Sequence, residues 1–295
     1  MPVRKHLTAY LFISPWLLGL FIFTLGPMVM SLYLSFTTYD LFSSPSWVGL
    51  DNYTELFGAD ERFYQSLKVT FLFAFLSVPI KLLVSLLVAM LLSRGIRGIG
   101  LYRSIFYLPS MIGGSVAIAV VWQKIFGDNG LVNMLLLQFG VKGPIWISHP
   151  DYAIYTLILL AVWQFGSPMV IFLAGLKQIP DHLYEASAID GASKFRQFIS
   201  ITIPMLTPII FFNLVMQTIG SFLSFTQGFI ITKGGPLDST LFYAIYLYER
   251  GFTFLYMGYA SALAWVLLII VALLTALIFS TSRKWVYYES GEGGR

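Results

Sequence analysis

Residues 251–282, GFTFLYMGYASALAWVLLIIVALLTALIFSTS, contain no Asp, Glu, Lys or Arg. A helix needs roughly 20 apolar residues to cross the hydrocarbon core of a bilayer. This run exceeds that length and is flanked by Arg250 and Arg283. Working outward, the same signature recurs at 6–39, 104–123, 152–176 and 197–232, and at 69–93, where only Lys81 interrupts it. The uncharged run 129–141 is too short to cross and reads as a short surface or re-entrant helix. The expected fold is therefore an all-α membrane protein with six transmembrane helices.

Composition agrees. Of 295 residues, 57% are hydrophobic and only 11% charged, against about a quarter charged in soluble domains. Mean hydropathy is +0.78. These values exclude an ordinary soluble enzyme, a disordered chain and a free-standing nucleic-acid binder. The absence of cysteine excludes disulfides, thiolate metal sites and cysteine nucleophiles. His6, His149 and His182 lie far apart in sequence and suggest no metal cluster.

Basic residues set the orientation, because cytoplasmic loops carry the excess of Lys and Arg. The N-terminal tail, the loops at 94–103 and 177–196, and the C-terminus hold 11 of the 18 basic residues. The alternate loops hold six, together with nine of the 14 acids. Both termini are expected in the cytoplasm, and this asymmetry accounts for the net charge of +4 without a nucleic-acid partner. Arg4 and Lys5 before the first run resemble the start of a signal peptide. The run is longer than the roughly 7–15 residues of such a segment and ends in no small-x-small cleavage site, so the span is expected to be retained. Most tryptophans fall near proposed span ends, as headgroup-level anchors do, with Trp163 an exception. The ESGEGGR tail is expected to be disordered.

The loop at 177–204, KQIPDHLYEASAIDGASKFRQFISITIP, is longer and more patterned than a plain basic connection. Asp181 after Pro180 can cap a helix whose first turn is acidic, as the helix dipole favours. Leu183, Ala186, Ala188 and Ile189 share a shallow apolar face, and Asp190-Gly191 signals a turn. A second amphipathic helix is expected through Phe195, Phe198 and Ile199. Glu185, Asp190 and Gly191 lie near the exposed corner of this pair. Two roles fit: an interfacial anchor, or a docking surface that small residues let another protein approach.

The segment Glu185-Ala186-Ser187-Ala188-Ile189-Asp190-Gly191-Ala192, followed by Phe198, Ile201, Pro204 and Pro208, resembles the EAA loop of binding-protein-dependent ABC importer permeases. Ser187 replaces the second Ala of the strict motif. SPWLLGLFIFTLGPMVMSLYLSF at 14–36, VGLDNYTELF at 48–57, FYLPSMIGG at 106–114 and GGPLDST at 234–240 look like the carbohydrate-type, first-permease subfamily. The resemblance implies a type I importer permease in the bacterial cytoplasmic membrane. Its partners would be a second homologous permease, two copies of a cytoplasmic ABC ATPase and an extracytoplasmic solute-binding protein. Glu185, Ala186, Ser187, Asp190 and Gly191 would couple to the ATPase, which would hold the ATP and Mg; this chain would bind no cofactor or metal. It also lacks the G-x-x-x-x-G-K-[ST] phosphate loop. The implied organisation is 1–64 as tail, first helix and external loop, 65–282 as a five-helix transport core, and 283–295 as a cytoplasmic tail.

A pathway needs polar groups inside the spans. Asn213, Gln217, Ser221 and Ser224 are spaced four, four and three apart, which puts them on one helix face. Gln164 and Ser167 are three apart in the fourth span. Amides and hydroxyls suit a neutral, hydroxyl-rich ligand such as a carbohydrate, and Tyr243 is placed to stack on a sugar face. The same side chains also serve to bond helix to helix in membranes. Lys81, mid-span and two residues after Pro79, either meets an acidic sugar or reaches a helix carbonyl or interfacial water. A secondary transporter driven by an ion gradient is the alternative. It calls for carboxylates inside the spans, and all 14 acids fall in loops or tails. A membrane-embedded enzyme would need a nucleophile and base that the spans lack.

Overall fold

The computed structural model describes residues 12–93 and 98–287. The expectations for Arg4, Lys5, His6, Arg94, Arg97, Arg295 and the ESGEGGR tail lie outside the described residues. Four single helices are long and apolar enough to cross a membrane: Phe12–Leu34, Glu61–Ser93, Lys194–Ile231 and Met257–Ser282. Among the described residues, two bent pairs bring the number to six when each is counted as one span: Ile99–Ile112 with Val116–Gln138, bent by 97°, and Pro150–Trp163 with Gly166–Leu176, bent by 41°. The six stretches follow the six apolar runs in order, and the protein is a multi-pass helical membrane protein. Six spans were expected, with Pro27, Pro109, Pro168 and Pro208 as residues that could kink or break helices; two of the six stretches are broken, a few residues from Pro109 and Pro168.

The breaks follow from local chemistry. Helix Ile99–Ile112 ends at Gly113, and Ser115 starts the next helix by accepting a hydrogen bond from the Ile118 amide at 3.3 Å. At the second break Gln164 leaves the helical region, with ψ of 37°, and Gly166 opens a helix with Pro168 in its first turn. Backbone groups freed inside a membrane must find partners. Ser110 supplies two: its hydroxyl donates to the Gln164 carbonyl at 2.9 Å and accepts from the Ser167 amide at 2.9 Å. The Gly113 carbonyl in turn accepts from the side-chain amides of Gln164, at 3.2 Å, and Gln227, at 2.9 Å. The two breaks therefore mend each other. A Cβ on Gly113 would overlap the Gln164 side chain, so glycine is required for this approach.

The chain divides into two compact units, Met1–Glu61 with Leu247–Ile270 and Arg62–Tyr246 with Val271–Arg295. In the first unit, helix Phe12–Leu34 leaves its side chains outward, with Phe12, Phe23 and Val29 all exposed. The following loop forms a two-residue antiparallel ladder, Thr37 opposite Trp47 and Thr38 opposite Ser46, the one departure from an all-α fold among the described residues. Asn52 locks it by donating to the carbonyls of Ser35, at 2.8 Å, and Thr37, at 3.0 Å. The carboxylate of Asp60 accepts from the Tyr259 hydroxyl, with Arg250 3.7 Å away. In the same loop the Ser43 hydroxyl and amide hold the Asp40 carboxyl below the usual carboxylate range.

The core of the second unit gathers Leu82, Leu86, Ala89, Met169, Phe172 and Leu206. Gly175 allows the close crossing with helix Ile203–Phe222, because any Cβ there would run into Ile209. Elsewhere in the unit Arg62 pairs with Asp238 through two bonds of 2.8 and 3.0 Å and latches the GGPLDST loop. The short helix expected within 129–141 is Leu131–Gln138.

Candidate functional site

The second unit contains a cavity of about 330 Å³. Its size is near the lower end of ligand pockets, roughly 300–1,000 Å³. Helix Glu61–Ser93 contributes Phe73, Ser77 and Lys81, the second break contributes Gln164, and helix Ile203–Phe222 contributes Gln217 and Ser221. That helix then breaks at Leu223, and Ser224, Thr226 and Gln227 complete the polar wall, with Phe242 on an apolar side.

Five of the residues singled out in sequence therefore meet here: Lys81, Gln164, Gln217, Ser221 and Ser224. Three do not. Asn213 lies on the same stripe but is 1% exposed, donating to the Ile209 carbonyl at 3.1 Å. Ser167 is exposed outside the cavity, with its amide held by Ser110. Tyr243 is fully buried, edge-on to Phe63 with centroids 6.0 Å apart, so no sugar face can reach it in this arrangement. Gln164 combines both roles weighed for such side chains, mending a helix break while facing the cavity. Ser77 was not singled out in sequence. Its signal was available: Ser77, Lys81 and Ser85 follow each other at intervals of four on one face of an apolar span.

The loop at 177–204 is built from the backbone outward. Helix Asp181–Ile189 ends with two bonds, from the Ala192 amide to the Ser187 carbonyl at 2.9 Å and from the Gly191 amide to the Ala188 carbonyl at 3.1 Å. This Schellman closure needs a left-handed residue, and Gly191 supplies it at φ of +77°. Ser193 then caps the next helix, accepting from the Arg196 amide at 3.3 Å. That helix is not a separate amphipathic one, as the sequence suggested. It runs on through a wider π turn at Phe198–Thr202 into the fifth span, giving one 38-residue stretch, Lys194–Ile231.

Glu185, Ala186, Asp190 and Gly191 are exposed. Ser187 is half-buried and turned inward, where its hydroxyl accepts from the buried Gln197 side chain at 2.8 Å. Gln197 also donates to the Tyr184 carbonyl at 3.1 Å, and Tyr184 and Thr202 join hydroxyls at 2.8 Å. The loop is thus bolted to the foot of the fifth span. Between its charges it displays Ile189 at 88% exposure and Phe195 at 71%.

Residues 56–285 match the family of binding-protein-dependent transport system inner membrane components. The chain belongs to that family. It is an ABC transporter permease, a translocation subunit rather than an enzyme. The probable ABC transporter permease protein YesP of Bacillus subtilis is 54% identical, over 98% of this chain and 95% of that one. The permease AraP of the arabinooligosaccharide transport system of the same bacterium is 31% identical, over 98% of this chain and 91% of that one. A bacterial alginate ABC transporter, solved in complex with its alginate pentasaccharide-bound periplasmic protein, shares the permease's fold with a TM-score of 0.83. It is 21% identical, and 96% of each chain is covered.

Proposed function

We infer that this permease translocates a carbohydrate across the bacterial cytoplasmic membrane as one half of a permease pair. An extracytoplasmic binding protein delivers the sugar, and two copies of a cytoplasmic ATPase, holding ATP and Mg, drive the cycle. Among relatives whose names state a cargo, AraP serves arabinooligosaccharides and LacF of Rhizobium radiobacter serves lactose, while UgpA of Agrobacterium fabrum serves sn-glycerol 3-phosphate. The observation that carries the reading is the path from the exposed loop to the cavity along one helix. Gln197 ties the loop to the foot of the helix that presents Gln217 and Ser221 to the cavity, 20 residues further on. At 1.5 Å per residue that is about 30 Å.

The chemistry follows from these residues. Amides and hydroxyls replace the water bonds of sugar hydroxyls, while the buried Phe73 and Phe242 back the cavity with an apolar wall. On the cytoplasmic side the exposed Ile189 and Phe195, with the exposed Glu185, Asp190 and Arg196 near them in sequence, offer apolar and charged surface for the ATPase. ATP and the loaded binding protein act on opposite faces, so transport requires both to favour the same one of two global states. No carboxylate lines the cavity, which disfavours the ion-gradient alternative.

The test is to tag the permease, extract it in mild detergent and identify what accompanies it. A second six-span permease and a nucleotide-binding subunit, with the latter lost on Glu185→Lys, are expected. A chain that purifies alone and in good yield would sink the coupling role.

A further inference from the structure

We propose that the sugar this cavity takes is acidic, a saccharide bearing a carboxylate, and that Lys81 receives the charge. The inference rests on the reading of the chain as a saccharide permease. Lys81 is the one charged residue in the cavity lining. Among the described residues no carboxylate pairs with it and no acceptor bonds its ammonium. It therefore has not reached a helix carbonyl, the structural role that its long stem allowed. Its own carbonyl is fixed by the Ser85 hydroxyl at 2.6 Å, and that hydroxyl also bonds the Phe165 carbonyl at 3.0 Å. The residue is anchored at its backbone and free at its tip.

A cation placed among apolar span residues without a counter-charge is costly, and proteins keep such groups where they pair or function. Among the described residues nothing supplies the counter-charge, and an incoming anion would. Charge count favours a sugar acid over a sugar phosphate. A carboxylate carries one negative charge, matching one ammonium. A phosphate monoester carries about 1.5 to 2 and calls for more donors or a second cation. The neighbouring Ser77, Gln164 and Ser221 are neutral and suit the hydroxyls around the acid group.

The experiment uses the complete importer in proteoliposomes with ATP inside. The probes are labelled glucuronyl and galacturonyl disaccharides, and the same disaccharides with the carboxyls reduced to alcohols. Wild type is expected to take up the acids at least tenfold faster, and Lys81→Met to lower the acid-to-neutral ratio at least tenfold, while Lys81→Arg keeps it. The binding protein is identical in every arm, so a change in that ratio arises in the membrane. Should Lys81→Met fail to assemble, Ser77→Asp places a carboxylate one turn away and must lower the ratio in the same direction. An unchanged ratio in Lys81→Met or Ser77→Asp, or uptake of the neutral forms alone, overturns the inference and leaves the importer reading intact. ATP-driven uptake of neither form by an assembled complex overturns both.

Discussion

Gly191→Ala isolates the conformational demand of the loop proposed to couple to the ATPase. At φ of +77° Gly191 occupies a region in which an L-residue with a Cβ is strained by about 1–2 kcal/mol. Nothing lies within 4 Å of where that Cβ would stand, so crowding inside the chain adds nothing. A penalty of this size lowers the population of the closed loop by roughly 5–30-fold relative to its opened forms. Affinity for the ATPase should fall by up to this factor, since it scales with the closed fraction, read by titrating the purified nucleotide-binding subunit onto permease in nanodiscs. Gly191→Asn is the control, because asparagine tolerates the left-handed region better than other side chains. The reasoning expects Asn to recover most of the affinity that Ala loses. Equal losses for Ala and Asn would refute it, since the cause would then be bulk against the partner rather than backbone strain. Wild-type affinity for both would show that the loop's closure does not matter to docking.

Gln197→Leu removes two hydrogen bonds, each worth about 0.5–1.5 kcal/mol net, and leaves the Ser187 hydroxyl and Tyr184 carbonyl without that donor. ATP hydrolysis is expected to persist while sugar moved per ATP falls; a preserved ratio would argue that the loop transmits through other contacts. Gly175→Val forces overpacking against Ile209, at a cost of roughly 1–3 kcal/mol. The melting temperature of the solubilised chain should drop, and Ile209→Ala in the same chain should restore part of it. Arg62→Ala breaks a pair whose side chains are 37% and 36% exposed, so its cost should stay within about 1 kcal/mol. A several-fold loss of transport in Arg62→Ala would mean that the GGPLDST loop does more than the pair's energy implies.

The six apolar stretches were legible because uncharged runs mark their middles, and in two cases the flanking charges, Lys177 and Arg283, also mark where helices Gly166–Leu176 and Met257–Ser282 end. The breaks at Gly113 and Gln164 were legible only as nearby prolines, Pro109 and Pro168, that could break a helix. They depend on Ser110, Gln164 and Gln227 rebonding carbonyls from 50 or more residues away, and no local pattern records such pairings. The same limit explains the polar stripe. Periodicity places Asn213 and Ser221 on one face, but only the end of that face near the break at Leu223 opens on the cavity, while Asn213 is sealed by neighbouring helices. Tyr243 looked suited to a sugar because aromatics stack, yet its amide bonds Thr70 at 2.8 Å and its ring fills the core. Gly191 was the opposite case. An Asp-Gly pair after an amphipathic turn is a local signal, and the left-handed closure found there needs little tertiary context. Ser187 read as a departure from the motif, and its partner Gln197, ten residues on, gives that departure a structural use.

The central claim is that transport through this permease is powered by ATP through partner subunits. Uptake of a labelled saccharide into proteoliposomes should be compared for the assembled complex with its binding protein and for this chain alone, with ATP, proton and sodium gradients supplied separately. The account predicts uptake only with the complex, the binding protein and ATP together, unaffected by ionophores. Uptake by the chain alone, driven by either gradient and indifferent to ATP, would contradict it.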